Sequence, residues 1–153
     1  MCTSHDVLAT DLLFESAFEY AAIGMALVSP DGRWLRANRS LCELIGYVAD
    51  ELLALTFQDI THPDDLDLDL ANVEMLLRGD IRSYQMEKRY FHKDGALIWT
   101  LLSVSLVRDK AGAPLFFISQ IKDITARKQA EQQLREAVTE IERLRSGLLT
   151  VCA

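Results

Sequence analysis

Three long apolar segments, joined by two short glycine-bearing turns, fix what the second half of this chain can become. Ser83 to Phe91, Leu97 to Val107 and Pro114 to Ile124 read as strands, the second rich in apolar and β-branched side chains. Lys93-Asp94-Gly95 separates the first two, and Asp109-Lys110-Ala111-Gly112 the last two. Asp-Gly is a strong hairpin signal, because a tight reversal requires positive φ. Strands joined this way pair antiparallel. The first half reads differently. Ser4 to Ala22 carries Leu8, Leu12, Phe14 or Glu15, Phe18 and Ala22 near helical spacing, with Ser4 or Asp6 as a cap. Gly24 to Ser29 and Arg33 to Ala37 flank the turn Pro30-Asp31-Gly32 as two short strands. Asn38 to Ile45, stopped by Gly46, and Asp50 to Leu55 read as short helices. Leu66 to Leu77, ended by Gly79, is a longer one. Helices with one apolar stripe must cover a sheet face, which predicts an α+β domain.

The last strand passes into a helix without a loop. After Asp123-Ile124-Thr125 the chain is dominated by Ala, Glu, Gln, Arg and Leu, all strong helix formers. Leu134, Ala137, Ile141, Leu144 and Leu148 recur at spacings of three and four, the pattern of a coiled-coil seam. The competing reading is a surface helix folded back on the body. The expected division is an N-terminal amphipathic helix (1–22), a body (23–125), a coiled-coil linker helix (126–147) and the start of a further region (148–153). The apolar ending Leu148-Leu149-Thr150-Val151-Cys152-Ala153 suits a segment of a longer protein.

Charge excludes several partners. With 23 acidic and 16 basic residues the net charge is −7, which argues against nucleic acid and against an anionic membrane surface. No apolar run approaches the roughly 18 residues that span a bilayer. The opening Met1-Cys2-Thr3-Ser4-His5-Asp6 lacks the regions of a signal peptide, so a cytoplasmic location is expected. Cys2, Cys42 and Cys152 are too few and too scattered for a disulfide framework or a metal site.

The order of elements, with Ile23-Gly24-Met25-Ala26-Leu27-Val28, Ala37-Asn38, Leu44-Ile45-Gly46-Tyr47, Thr61-His62-Pro63-Asp64-Asp65, His92-Lys93-Asp94-Gly95, Trp99 and Asp123-Ile124-Thr125, resembles a PAS domain. The resemblance covers about residues 13–126. It implies a five-stranded antiparallel sheet of order 2-1-5-4-3, with helices around a central pocket. It also implies a sensing or association role within a multidomain signalling protein. In that family the helix after Asp-Ile-Thr commonly leads to a histidine kinase or a cyclic-di-GMP enzyme. The implied partners are a second copy, through the terminal helices, and a downstream effector.

Tyr90 to Gly95, Ile98 to Leu102 and Phe116 to Ile118 are similar to the light-sensing LOV branch. The photoactive cysteine of that branch aligns with Phe57, which cannot form the flavin bond. Its flavin-binding amides align with Tyr90, Thr100 and Ile121, and Ile121 has no polar group at all. Haem-binding relatives use a histidine on the helix that matches Leu66 to Leu77, which has none. His62 and His92 lie in a loop and a hairpin. The sequence therefore names no cofactor and argues against flavin and haem. Asp65, Asp67 and Asp69 open like a calcium loop, but Leu70 and Leu76 stand where its glycine and glutamate are needed. These carboxylates instead suit the first turn of a helix.

The alignment places Ala26, Val28, Met86, Tyr90, Thr100, Leu102, Val104, Phe117, Ser119 and Ile121 on pocket-facing strand positions, with Phe57, Ile60, Leu70 and Val73 closing the pocket from the helices. This set suits a small, largely apolar ligand held by one or two hydrogen bonds. The bulk of Phe57, Tyr90 and Phe117 favours an interior nearly filled by its own side chains. Glu87 and Arg89 read as a solvent-side ion pair. No phosphate loop, nucleophile elbow or metalloprotease helix is present, so an enzyme is not expected. Asp123, Ile124 and Thr125 are the expected hinge, with Asp123 or Thr125 capping the helix.

Overall fold

Alternating apolar side chains build the sheet, and its hairpins order it. A computed structural model describes residues 4–151. The elements are α1 (Ser4–Glu19), β1 (Gly24–Val28), β2 (Trp34–Ala37), α2 (Arg39–Ile45), α3 (Ala49–Leu53), a 3-10 turn (Gln58–Ile60), α4 (Pro63–Arg78), β3 (Ser83–Phe91), β4 (Leu97–Arg108), β5 (Pro114–Asp123) and α5 (Thr125–Val151). The five strands form one antiparallel sheet in the order β2-β1-β5-β4-β3, as the family resemblance implies. β5 lies at its centre, with Ser119 opposite Ala26 on one side and Val104 on the other.

The chain divides into one unit up to Asp123 and a second from Ile124. In the first unit α2, α3 and α4 cover one face of the sheet. Leu41, Ile45, Leu52, Phe57, Ile60 and Leu76 meet Val28, Met86, Tyr90, Leu102, Phe117 and Ile121 in a single core. Burying each large apolar side chain contributes about 1.5–3 kcal/mol before entropy is counted.

Local signals set the helix ends. Asn38 caps α2, its Oδ1 accepting from Leu41 N at 3.1 Å and from Met25 N at 2.9 Å. Its Nδ2 donates to the carbonyls of Phe18 (2.9 Å) and Ile23 (3.1 Å). One fully buried amide thus ties together α1, β1 and α2. Gly46 ends α2 at φ 78°, and a Cβ there would lie 2.2 Å from Cε1 of His92. That close approach requires glycine. α4 begins three residues earlier than predicted, because Pro63 suits the first helical position and His62 Nδ1 accepts from Asp64 N at 3.1 Å.

α1 departs from expectation. It ends at Glu19 instead of Ala22, and Ser40 Oγ donates to the carbonyl of Ala21 just beyond it. Of its predicted apolar stripe Phe18 is buried, whereas Leu12 and Phe14 are exposed. The helix is held at its C-terminal end, where Arg36 bonds Glu15 at 2.6 and 2.8 Å and lies 4.6 Å from the Phe18 ring. α5 is one continuous helix to Val151, with no break at Gly147. The predicted further region, 148–153, lies partly outside the described residues, as do Cys2 and Cys152. Cys42 is half-buried, and burial pushes its thiol pKa up.

Candidate functional site

Alternation on β3 turns Met86, Lys88 and Tyr90 to the same face, the one that meets the helices. A lysine therefore enters the core. Lys88 is 1 % exposed. Its backbone carbonyl accepts from Thr100 Oγ1, opposite it on β4, at 2.8 Å. Its Nζ meets Oδ2 of Asp69, which α4 presents from above and which is equally buried. Tyr84 Oη donates to the other oxygen of Asp69 at 2.6 Å. The ammonium also lies 4.8 Å from the Phe57 ring centroid and 4.5 Å from that of Tyr90. The negative faces of both rings favour a cation there.

Desolvation by burial pulls the Lys88 pKa down, opposed by the neighbouring Asp69 carboxylate. Burial also pushes both Tyr84 and Tyr90 well above the ordinary phenol range, with Asp69 adding to the effect. The three-residue cluster Tyr84–Asp69–Lys88 is thus a satisfied polar network inside an apolar core. Such networks specify one packing more reliably than they add stability.

The cluster borders a cavity of about 20 Å³, lined by Val28, Trp34, Phe57, Asp69, Val73, Tyr84, Lys88, Tyr90, Leu102, Val104, Phe117 and Ser119. This is room for one water molecule. A flavin or haem ring system has no space here unless the lining side chains move.

The sequence-derived pocket set divides in three. Val28, Phe57, Val73, Tyr90, Leu102, Val104, Phe117 and Ser119 line the cavity. Ala26, Ile60, Met86, Thr100 and Ile121 are buried in the core around it. Leu70 is 37 % exposed, and Asp69 turns inward in its place. Helical spacing explains the correction: Leu66, Asp69, Val73 and Leu76 share one stripe at spacings of three and four, and Leu70 lies one step around. Sequence reasoning missed Trp34, Asp69, Tyr84 and Lys88. The alternation that selected Met86 and Tyr90 already placed Lys88 between them. Arg89, read as a partner of Glu87, makes a two-pronged contact with Asp65, both bonds 2.9 Å, and lies 5.0 Å from the Trp99 ring. His62 and His92 are local caps, His62 for Asp64 N and His92 for Asp94 N.

At the output end, β5 stops at Asp123 and α5 starts at Thr125. Ile124 alone lies between them and takes the cap position, its carbonyl accepting from Lys128 N at 2.9 Å. Along α5, Leu134, Ala137, Ile141, Leu144 and Leu148 are all exposed.

A family model described as "PAS fold" matches residues 35–121. The probable diguanylate cyclase DgcE of Escherichia coli (strain K12) is 52 % identical over 129 residues, covering 82 % of this chain and 12 % of that protein. The sensor histidine kinase TmoS of Ectopseudomonas mendocina is 29 % identical over 133 residues, covering 87 % of this chain and 14 % of that protein. The chain therefore spans about an eighth of the length of these relatives. The solved structure of a sensory box histidine kinase/response regulator from Burkholderia thailandensis superposes with a TM-score of 0.66 at 26 % identity, covering 85 % of this chain and 98 % of that one. Strand order, matched residues and relatives agree: the chain belongs to the PAS-fold family.

Proposed function

We propose that this chain is the regulatory sensor module of a multidomain signalling protein, and that the state of its interior is passed along β5 into α5 and on to an effector of histidine kinase or diguanylate cyclase type. One observation carries this reading. β5 contributes Phe117 and Ser119 to the cavity wall and reaches the start of α5 within six residues of Ser119. The ladder bonds on both sides of β5 couple a shift at Ser119 to the end of the strand. The helix that follows is the bistable element, able to rotate or change register. A cytoplasmic location accompanies this reading, and any catalytic step belongs to the effector.

A second reading, a ligand-free module that only sets dimer geometry, draws on the exposed seam from Leu134 to Leu148. Apolar residues repeated at this spacing are covered most simply by the same face of a second copy. The two readings share the homodimer and differ in whether the cavity is an input.

The relay is tested in the full-length protein by inserting one to seven residues after Ala126. Effector output should follow the heptad phase of the insertion and return near its starting level at seven, where the seam regains register. Output that ignores insertion length defeats the relay.

A further inference from the structure

The seam of α5 is short. Leu134, Ala137, Ile141, Leu144 and Leu148 are all exposed along it, and they fall short of the roughly three heptads at which apolar spacing alone becomes decisive. The charges beside the seam therefore weigh heavily in what it meets. With Leu134, Ile141 and Leu148 at position a of the heptad abcdefg, Ala137 and Leu144 fall at d, Glu140 at g and Arg145 at e. Both charged side chains are exposed. Glu140 is bonded by Arg143 of its own helix at 2.7 and 3.0 Å. Arg145 has no hydrogen-bond or ion-pair partner among the described residues. Two parallel, in-register helices bring position g of one beside position e of the other in the next heptad. Glu140 then meets the partner's Arg145, and two-fold symmetry forms the pair twice. The other flanks add no like charges, because Gln133 faces Val138 and Ala126 faces Glu131. An antiparallel pair overlapped along the whole helix sets Glu140 near its own copy instead. It would offer Arg145 the carboxylate of Glu131, which Arg127 (3.6 Å) and Lys128 (3.7 Å) already hold.

We infer that Glu140 and Arg145 are the specificity determinants of α5: they form two reciprocal ion pairs between copies of this chain, which select a second identical helix and fix it parallel and in register. The apolar seam supplies attraction to any similar helix, and the two charges supply the discrimination. A helix with like charges at these two positions is rejected, because each pair then becomes a repulsion. This inference rests on the homodimer of the proposed function and names the residues that choose its partner.

The test is the dimer dissociation constant of the 153-residue chain and four variants, measured by sedimentation velocity. Glu140→Arg and Arg145→Glu each turn both attractions into repulsions, and each should weaken the dimer roughly tenfold. The double variant, Glu140→Arg with Arg145→Glu, exchanges the two charges and should return to within about threefold of the parent. Arg143→Gln removes only the contact inside the helix, and should also stay within about threefold. An antiparallel dimer is not rescued by the exchange, since g then lies beside g and e beside e. A monomeric parent, single variants as tight as the parent, a double variant no tighter than the singles, or an Arg143→Gln chain as weak as the charge reversals each overturns the inference. The centrifuge reads association alone. Its failure leaves the helix-phase experiment untouched, and failure of that experiment leaves the pairing result standing.

Discussion

Lys88 and Asp69 form an ion pair inside the core, each about 1 % exposed, between the rings that line the cavity and the helix that closes it. Removing one partner leaves the other charge buried alone. Asp69→Asn is expected to lose about 3–5 kcal/mol of stability. The double change Asp69→Leu with Lys88→Met removes both charges, and should recover most of that loss. Urea unfolding of the single and double variants checks both values. A single variant within 1 kcal/mol of the parent would show that the buried pair is not formed.

Asn38 holds four backbone groups from three segments with one side chain. Asn38→Ala should destabilise by about 2–4 kcal/mol, through the lost helix cap and the buried groups left unpaired. Hydrogen exchange gives a sharper signature. The amides of Met25 and Leu41 should lose protection relative to those of β4. Uniform loss across the sheet would argue that the residue has no local organising role.

The Arg89 guanidinium holds the Asp65 carboxyl below its usual value of 3.8. A depressed carboxylate pKa contributes stability that is present above the unfolded value and lost as pH falls through the folded one. Asp65→Asn should therefore be less stable than the parent at neutral pH, with the gap closing as pH falls below the usual value. Thermal unfolding between neutral pH and pH 2 measures the gap, and a constant offset would assign the loss to packing instead of charge.

The α5 seam predicts self-association. Ile141→Glu with Leu144→Glu puts charges where apolar side chains would meet, and should shift the chain to monomer in sedimentation velocity. Neither residue is in the unit ending at Asp123, so the circular dichroism of its sheet should be unchanged. A dimer that survives these changes places the contact elsewhere.

Much of this fold is legible in the sequence, because its signals are local. Lys93-Asp94-Gly95 and Asp109-Lys110-Ala111-Gly112 turn the chain where hairpins must turn, and the span expected for β3, Ser83–Phe91, is the one observed. The site is less legible because its residues are chosen by depth as well as pattern. Period two puts Lys88 on the inner face, yet a lysine there reads as improbable until Asp69, 19 positions earlier, is known to meet it. The same applies to Arg89, whose partner Asp65 lies 24 positions away on α4. A neighbour such as Glu87 is visible in the sequence, whereas a partner across the fold is not.

By itself the sequence determined the strand order through its family resemblance, the end of α2 through Gly46, and the direct passage of the last strand into a helix. These depend on residues close along the chain. Tertiary structure alone decided that a carboxylate on α4 and an ammonium on β3 share the interior, that Leu70 turns away from it, and that the indole N–H of Trp34 is buried with no partner among the described residues. The physical reason is desolvation. Whether a polar group can be buried depends on which partners the folded chain brings within hydrogen-bond reach, and that is a property of three dimensions.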